Sequence, residues 1–212
     1  MTAKTIGLAA FIALAFIALA FLAEPAFAHH VMGGRIPATF GDGFLSGLGH
    51  PIIGLDHFAA VVAVGCLAAA HRAAPALAIG FVLTMMAGVA AHVRGMSVPG
   101  AEILVALSVI VLGAAMLRRQ AMPAGAAIGL FAVVGLVHGY ALGESIAGAE
   151  PTPLYAYLLG LAVIQSAVAL AAMSVAQAIA KKSADLSPLR LVGAGIAGIG
   201  IAVLMQQIIP GA

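Results

Sequence analysis

The sequence predicts an all-α fold: a polytopic membrane helix bundle of six transmembrane helices behind an N-terminal signal peptide. Two observations carry this reading. Hydrophobic residues make up 64% of the chain and charged residues 8%, with a mean hydropathy of +1.18, against roughly 45–50% and about 25% in a soluble domain. The apolar residues also fall in long runs, each close to the ~20 residues that cross a hydrocarbon core of ~30 Å at about 1.5 Å per residue. Unpaired backbone amides are too costly in lipid, so such spans must be helical.

Residues 1–28 have the order of a secretory signal. Lys4 gives a basic start, Ile6 to Ala23 an apolar core, and Ala26-Phe27-Ala28 a small-x-small cleavage site. The apolar core is long for a signal, so an uncleaved first helix is the alternative. Residues 29–43 are Gly-rich without helical periodicity and read as an extracytoplasmic arm. The remainder, 44–212, is a six-helix transmembrane domain with spans near 44–70, 75–94, 101–117, 124–143, 153–180 and 189–209. Pro75, Pro99, Pro123, Pro153 and Pro188 stand at or just before span starts, where a missing N–H does no harm.

Orientation follows from the bias of Lys and Arg toward cytoplasmic loops. With the mature N-terminus outside, the inner loops carry Arg72, Arg118, Arg119, Lys181, Lys182 and Arg190, and the outer segments only Arg35 and Arg94. The chain is therefore expected in a bacterial inner membrane with its N-terminus periplasmic. His50, Asp56 and His57 then lie in the outer part of the first span. His92 and Glu102 flank the second outer loop, and His138 and Glu144 close the fourth span. His29 and His30 sit on the outer arm, and only His71 faces inward. Helices running in opposite directions must each have been patterned to gather these groups on one side.

Imidazole with a few carboxylates and no thiolate suits Ni²⁺, Co²⁺, Zn²⁺ or Cu²⁺. Cys66 is a lone thiol in an apolar run and reads as a small hydrophobe. In an unbroken helix His50 and His57 stand about 10.5 Å apart along the axis, too far to share one ion with bonds of about 2 Å. Pro51 can start or kink the helix there, and Gly47, Gly49 and Gly54 loosen it, so that His50 can fold toward Asp56 and His57. Broken helices at membrane depth are where transporters hold ions. Packing is the competing use of a buried histidine, most readily for His71 and His92. Three costly groups together at 50, 56 and 57 are hard to justify by packing alone.

A second constellation runs from Val137 to Glu144. Gly135, Gly139 and Gly143 recur every fourth residue as a small-residue ridge for close helix approach, and His138 and Glu144 are its polar members. A third group arises if the signal is cut after Ala28. The freed amine of His29, with the His30 imidazole, would then form a nitrogen-rich set of the kind Ni²⁺ and Cu²⁺ accept. A flexible arm with incidental histidines is the alternative.

His50-x5-Asp56-His57 followed by His138-Gly139-Tyr140-Ala141-x-Gly143-Glu144 resembles the HupE/UreJ family, hydrogenase and urease accessory membrane proteins regarded as nickel/cobalt permeases. The similarity covers the signal, the His-containing arm, six spans and the Pro-Gly-Ala-Glu102 start of the third. The resemblance implies that His50, Asp56 and His57 recognise the metal, with His138 and Glu144 as the second polar cluster. Val137 stands where the family often has Phe, and Leu142 where it often has a further His, which leaves open the ligand count and the choice of metal.

The expected function is secondary uptake of Ni²⁺, or Co²⁺, for metalloenzyme maturation. The membrane potential contributes roughly 4.6 kcal/mol per divalent ion at 100 mV. Expected partners are the divalent ion and the lipid bilayer, with no resident cofactor and no nucleic acid, since the net charge of +2 is small and scattered. Walker, HEXXH and G-x-S-x-G motifs are absent, so neither an ATP engine nor an enzyme is expected. Metal ligands must be deprotonated to bind, so uptake is expected to weaken as pH falls through the histidine range. A metal chaperone or sensor without transport, a permease for another divalent metal such as Cu²⁺, and a proton-coupled carrier of an organic cation are the rival readings.

Overall fold

The computed structural model describes residues 35–118, 120–182 and 186–209. The expected signal peptide, His29 and His30 lie outside the described residues. Among the described residues every regular element is helical. The helices are α1 (Phe40–Ile53), α2 (Leu55–Ala68), α3 (Ala74–Val93), α4 (Ala101–Leu117), α5 (Ala124–Leu142), a 3₁₀ turn (Glu144–Ile146), α6 (Pro151–Lys182) and α7 (Ser187–Ile208).

Helix α1 begins four residues earlier than the apolar pattern suggests, inside the stretch read as an arm. The cause is a reciprocal cap. Thr39 Oγ1 accepts from the Asp42 amide at 3.1 Å, and Asp42 Oδ2 accepts from the Thr39 amide at 3.1 Å. Two orphan donors of the first turn are thereby satisfied.

The first span is broken. Helices α1 and α2 meet at Gly54 with a bend of 79°. Pro51 lies inside α1, not at its start. Proline removes the bond its amide would have made to the Gly47 carbonyl and so weakens the last turn. The chain turns three residues later, where Gly54 adopts extended backbone with ψ 98°. Even a Cβ at Gly54 would press to 2.9 Å from His57 Cδ2, so the corner requires glycine.

Four helical segments are long and apolar enough to cross a membrane: Ala74–Val93, Ala124–Ile146, Pro151–Lys182 and Ser187–Ile208. The bent pair α1–α2 passes the same test when taken together, and α4 is a shorter apolar helix of 17 residues. The protein is thus an all-helical, multi-pass membrane protein. Its burial pattern agrees. Large side chains such as Leu83 and Val133 are about 60% exposed (63% and 60%), outward toward lipid, while the interior is largely Ala, Gly and Val.

Three close helix pairs make the bundle: α1 with α6, α3 with α5, and α4 with α7. Each crossing is made through glycine. Gly43 and Gly47 lie against Pro153 and Tyr157, Gly139 against Met85, and Gly113 against Gly193 and Ala197. The ridge read at Gly135, Gly139 and Gly143 does face another helix, meeting Thr84, Met85 and His92 in turn. Without a hydrophobic drive between helices in lipid, close backbone approach supplies the attraction.

Candidate metal site

The break at Gly54 sets the site. It places Asp56 in the first turn of α2, where its Oδ1 accepts the His57 amide at 2.7 Å, a favourable seat for an anion at a helix N-terminus. The turn also brings the first two histidines together, with the His50 and His57 ring centroids 6.1 Å apart. On its other side His57 meets His138 of α5, with centroids 4.9 Å apart and the two Nδ1 atoms at 2.8 Å. His50, Asp56 and His57 are 5–6% exposed and His138 0%.

Ser108 of α4 completes the row. Its Oγ lies 2.7 Å from the Val105 carbonyl and 2.7 Å from His138 Nε2. A carbonyl only accepts, so the single hydroxyl proton goes to Val105 and Ser108 must accept from His138 Nε2–H. In the neutral ring this leaves the lone pair of His138 on Nδ1, and the neutral pair has one assignment: His57 Nδ1–H donates to His138 Nδ1. Three helices therefore fix which nitrogen of His138 faces His57.

Asp56 stands beside His57 in the first turn of α2, Glu102 in the first turn of α4, and Glu144 just past the end of α5. The charges of Asp56 and Glu144 both act on partly buried Glu102, and the charge of Asp56 reaches His138. Glu144 itself is exposed on the 3₁₀ turn. That turn is held by Tyr157 of α6, whose hydroxyl donates to the Leu142 carbonyl at 2.7 Å. His92 is placed differently. Its Nδ1–H donates to the Tyr140 carbonyl at 2.9 Å, its ring lies 4.6 Å from that of Tyr140, and Gly143 makes room for its Cβ. This is a packing arrangement about a turn beyond His138 on α5.

Among the described residues no three His, Cys, Asp or Glu side chains are already drawn into one ion's ligand shell. His57 and His138 hydrogen-bond each other, and Asp56 bonds to its own helix. Two potential nitrogen donors from separate helices are nonetheless adjacent. The His57–His138 hydrogen bond keeps two imidazole nitrogens within 2.8 Å of each other, and an ion bound by both would require the rings to turn until both lone pairs point at it.

The opposite end of the bundle is basic. There the ends of α2 and α4 and the start of α7 frame a cavity of about 130 Å³, lined by Cys66, Met116, Arg118 and Arg190 among others. The histidine row and the arginines are thus at opposite ends, as the charge bias requires.

Sequence reading missed Ser108, Tyr157 and Gln165. The available signal was a polar group inside an apolar run. A span serine commonly bonds its own preceding turn, which makes Ser108 easy to pass over.

Fold and site together define a multi-pass helical membrane protein with a buried histidine–carboxylate cluster near one end. Residues 17–203 match the family described as HupE / UreJ protein, and the chain belongs to that family. A curated relative, Protein HupE of Rhizobium leguminosarum bv. viciae, is 33% identical over 123 residues, covering 57% of this chain and 62% of the relative. The chain therefore aligns with less than two thirds of that relative's length. No solved structure matches.

Proposed function

We propose that this protein is a secondary permease that takes up Ni²⁺, or Co²⁺, across the bacterial inner membrane to supply metalloenzyme maturation such as that of hydrogenase or urease. The observation that carries the reading is the His57–His138 nitrogen pair, backed by Ser108 and with Asp56 next to His57 in the first turn of α2. The histidine end faces outward and the arginine end the cytosol. An arriving ion exchanges water for imidazole nitrogen, and the carboxylates offset its charge. For His57 Nδ1 to bind the ion, its proton would pass to the ring's own Nε2 by way of water, leaving the imidazole neutral, or be released to solvent. Asp56 holds the first turn of α2, so His57 keeps its direction while the ring exchanges partners. His29 and His30 serve as an outer capture arm, and His50 as the donor on the α1 side of the break. Glu102 adds a carboxylate at the start of α4, and His92 supports the end of α5 through Tyr140.

Purified protein in liposomes tests the proposal. Labelled Ni²⁺ is expected to accumulate with an inside-negative potential, and unlabelled Co²⁺ but not amines to compete. Saturable binding with no flux would instead make the protein a metal chaperone or sensor.

Ser108 gives a finer test. Ser108→Ala removes the acceptor that keeps the proton on His138 Nε2, and a supporting contact of this kind is worth roughly 10–100-fold in metal affinity. The expected result is a rise of at least about tenfold in the KM for Ni²⁺, with Ser108→Thr close to wild type because its hydroxyl reaches the same two atoms. Equal KM values for Ala and wild type would remove Ser108 from the site.

A further inference from the structure

The basic end of the bundle carries a cavity that the metal reading leaves unused. The ends of α2 and α4, the loop after α4 and the start of α7 enclose about 130 Å³. Its apolar walls include Leu67 of α2, Met116 of α4, Met122 of the loop and Leu189 of α7, all buried or half-buried. Two arginines share the lining: Arg118, which ends α4, and Arg190, in the first turn of α7. An apolar cavity of about 150 Å³ takes a ligand the size of benzene, so several methylene groups of a hydrocarbon chain fit here.

Charge decides what such a site would hold. Among the described residues the carboxylates, Asp42, Asp56, Glu102, Glu144 and Glu150, stand at or next to helix ends on the histidine side. Arg72, Arg118, Lys181, Lys182 and Arg190 stand at the opposite end, and Asp185, the acid in that part of the sequence, lies outside the described residues. Arg118 is exposed, and its guanidinium makes no hydrogen bond or ion pair among the described residues. Arg190 is steadied by Ser187 Oγ, which accepts from its Nη2 at 3.0 Å.

We propose that this cavity binds an anionic phospholipid, its phosphate at Arg118 and Arg190 and part of an acyl chain in the apolar space between α2, α4 and α7. Basic pockets between transmembrane helices on the cytoplasmic side hold anionic headgroups in this way. A soluble anion would leave the apolar walls unused, and a lipid without net charge would leave the arginines unneutralised. The inference needs only the membrane bundle and is independent of the metal. A lipid in this place ties α2 to the α4–α7 pair.

Native mass spectrometry of the whole chain in detergent, titrated with dioleoyl phosphatidylglycerol or dioleoyl phosphatidylcholine, tests the proposal. Phosphatidylglycerol is expected to bind at least about tenfold more tightly, since each basic residue is worth about fivefold. Arg118→Gln should lose about fivefold for phosphatidylglycerol and little for phosphatidylcholine. Ala70 lines the cavity just past α2, and Ala70→Leu should weaken both lipids by filling it. Lys181→Gln, at the same end but outside the cavity, should bind as wild type. Glycerol phosphate, the headgroup chemistry without chains, should not displace bound phosphatidylglycerol. Equal affinity for the two lipids would overturn the proposal. So would a loss in Lys181→Gln equal to that in Arg118→Gln, which would mean diffuse attraction to a basic surface. Wild-type binding by Ala70→Leu, or displacement by glycerol phosphate, would overturn it by removing the acyl chain from the site.

Discussion

Exchanging His57 for alanine is expected to lower Ni²⁺ uptake to the background of cells lacking the protein, at matched membrane levels measured by immunoblot. His57 is the member of the row that touches both neighbours, with His50 on one side and His138 on the other. Its loss leaves His138 facing a cavity and separates the α1 and α5 donors. Removal of a supporting group alone is worth about 10–100-fold, so loss of the central donor should exceed that. His138→Ala is expected to match it, and the double variant to be no worse than either, because two ligands of one ion act as a unit. His71→Ala, at the other end of the bundle, should transport normally. Asp56→Asn separates charge from structure. Asparagine oxygen can still accept the His57 amide that Asp56 accepts at 2.7 Å, so the protein should stay folded while uptake falls at least about tenfold, or 1.4 kcal/mol. Normal uptake by His57→Ala would remove the site assignment altogether.

The sequence showed the helices better than their interactions. The helix read at 101–117 is α4 to the residue, that at 75–94 is offset from α3 by one residue at both ends, and that at 124–143 runs one residue past α5; α4 is nonetheless shorter than the four helices long enough to cross a membrane. Proline, glycine and the length of apolar runs mark such limits locally. The first span was harder. Pro51 drew attention because it lacks an N–H, yet the corner is at Gly54, where the decisive fact is that a Cβ would strike His57. That fact exists only once α2 has turned. The meeting of His57 with His138 could be anticipated from charge bias, which put both toward the same end of the bundle. The role of Ser108 could not. Its bond to His138 depends on the rotation of α4 against α5, which nothing in a uniformly apolar helix face specifies. His92 shows the opposite case, where a histidine near the right end is taken up by a carbonyl and an aromatic ring.

Replacing Gly139 by alanine is expected to destabilise the protein strongly, while the same change at Gly129 on the same helix should not. A Cβ on Gly139 would run into the carbonyl group of Met85 on α3, backbone that cannot swing aside like a side chain. The helices must separate, and overpacking of this kind typically costs about 1–3 kcal/mol and sometimes more. Gly129 has nothing within 4 Å of the added Cβ; alanine there should be neutral or gain up to about 1 kcal/mol from helix propensity. Thermal unfolding in detergent measures both. The chemistry should follow the packing, because Gly139 is next to His138 and any displacement of α5 from α3 moves that ring relative to Ser108 and His57. Gly139→Ala protein that still folds at low temperature should therefore bind Ni²⁺ more weakly, whereas Gly129→Ala binds as wild type. Equal melting temperatures for the two variants would mean that the α3–α5 crossing is not held by backbone contact, and that the position of His138 has some other support.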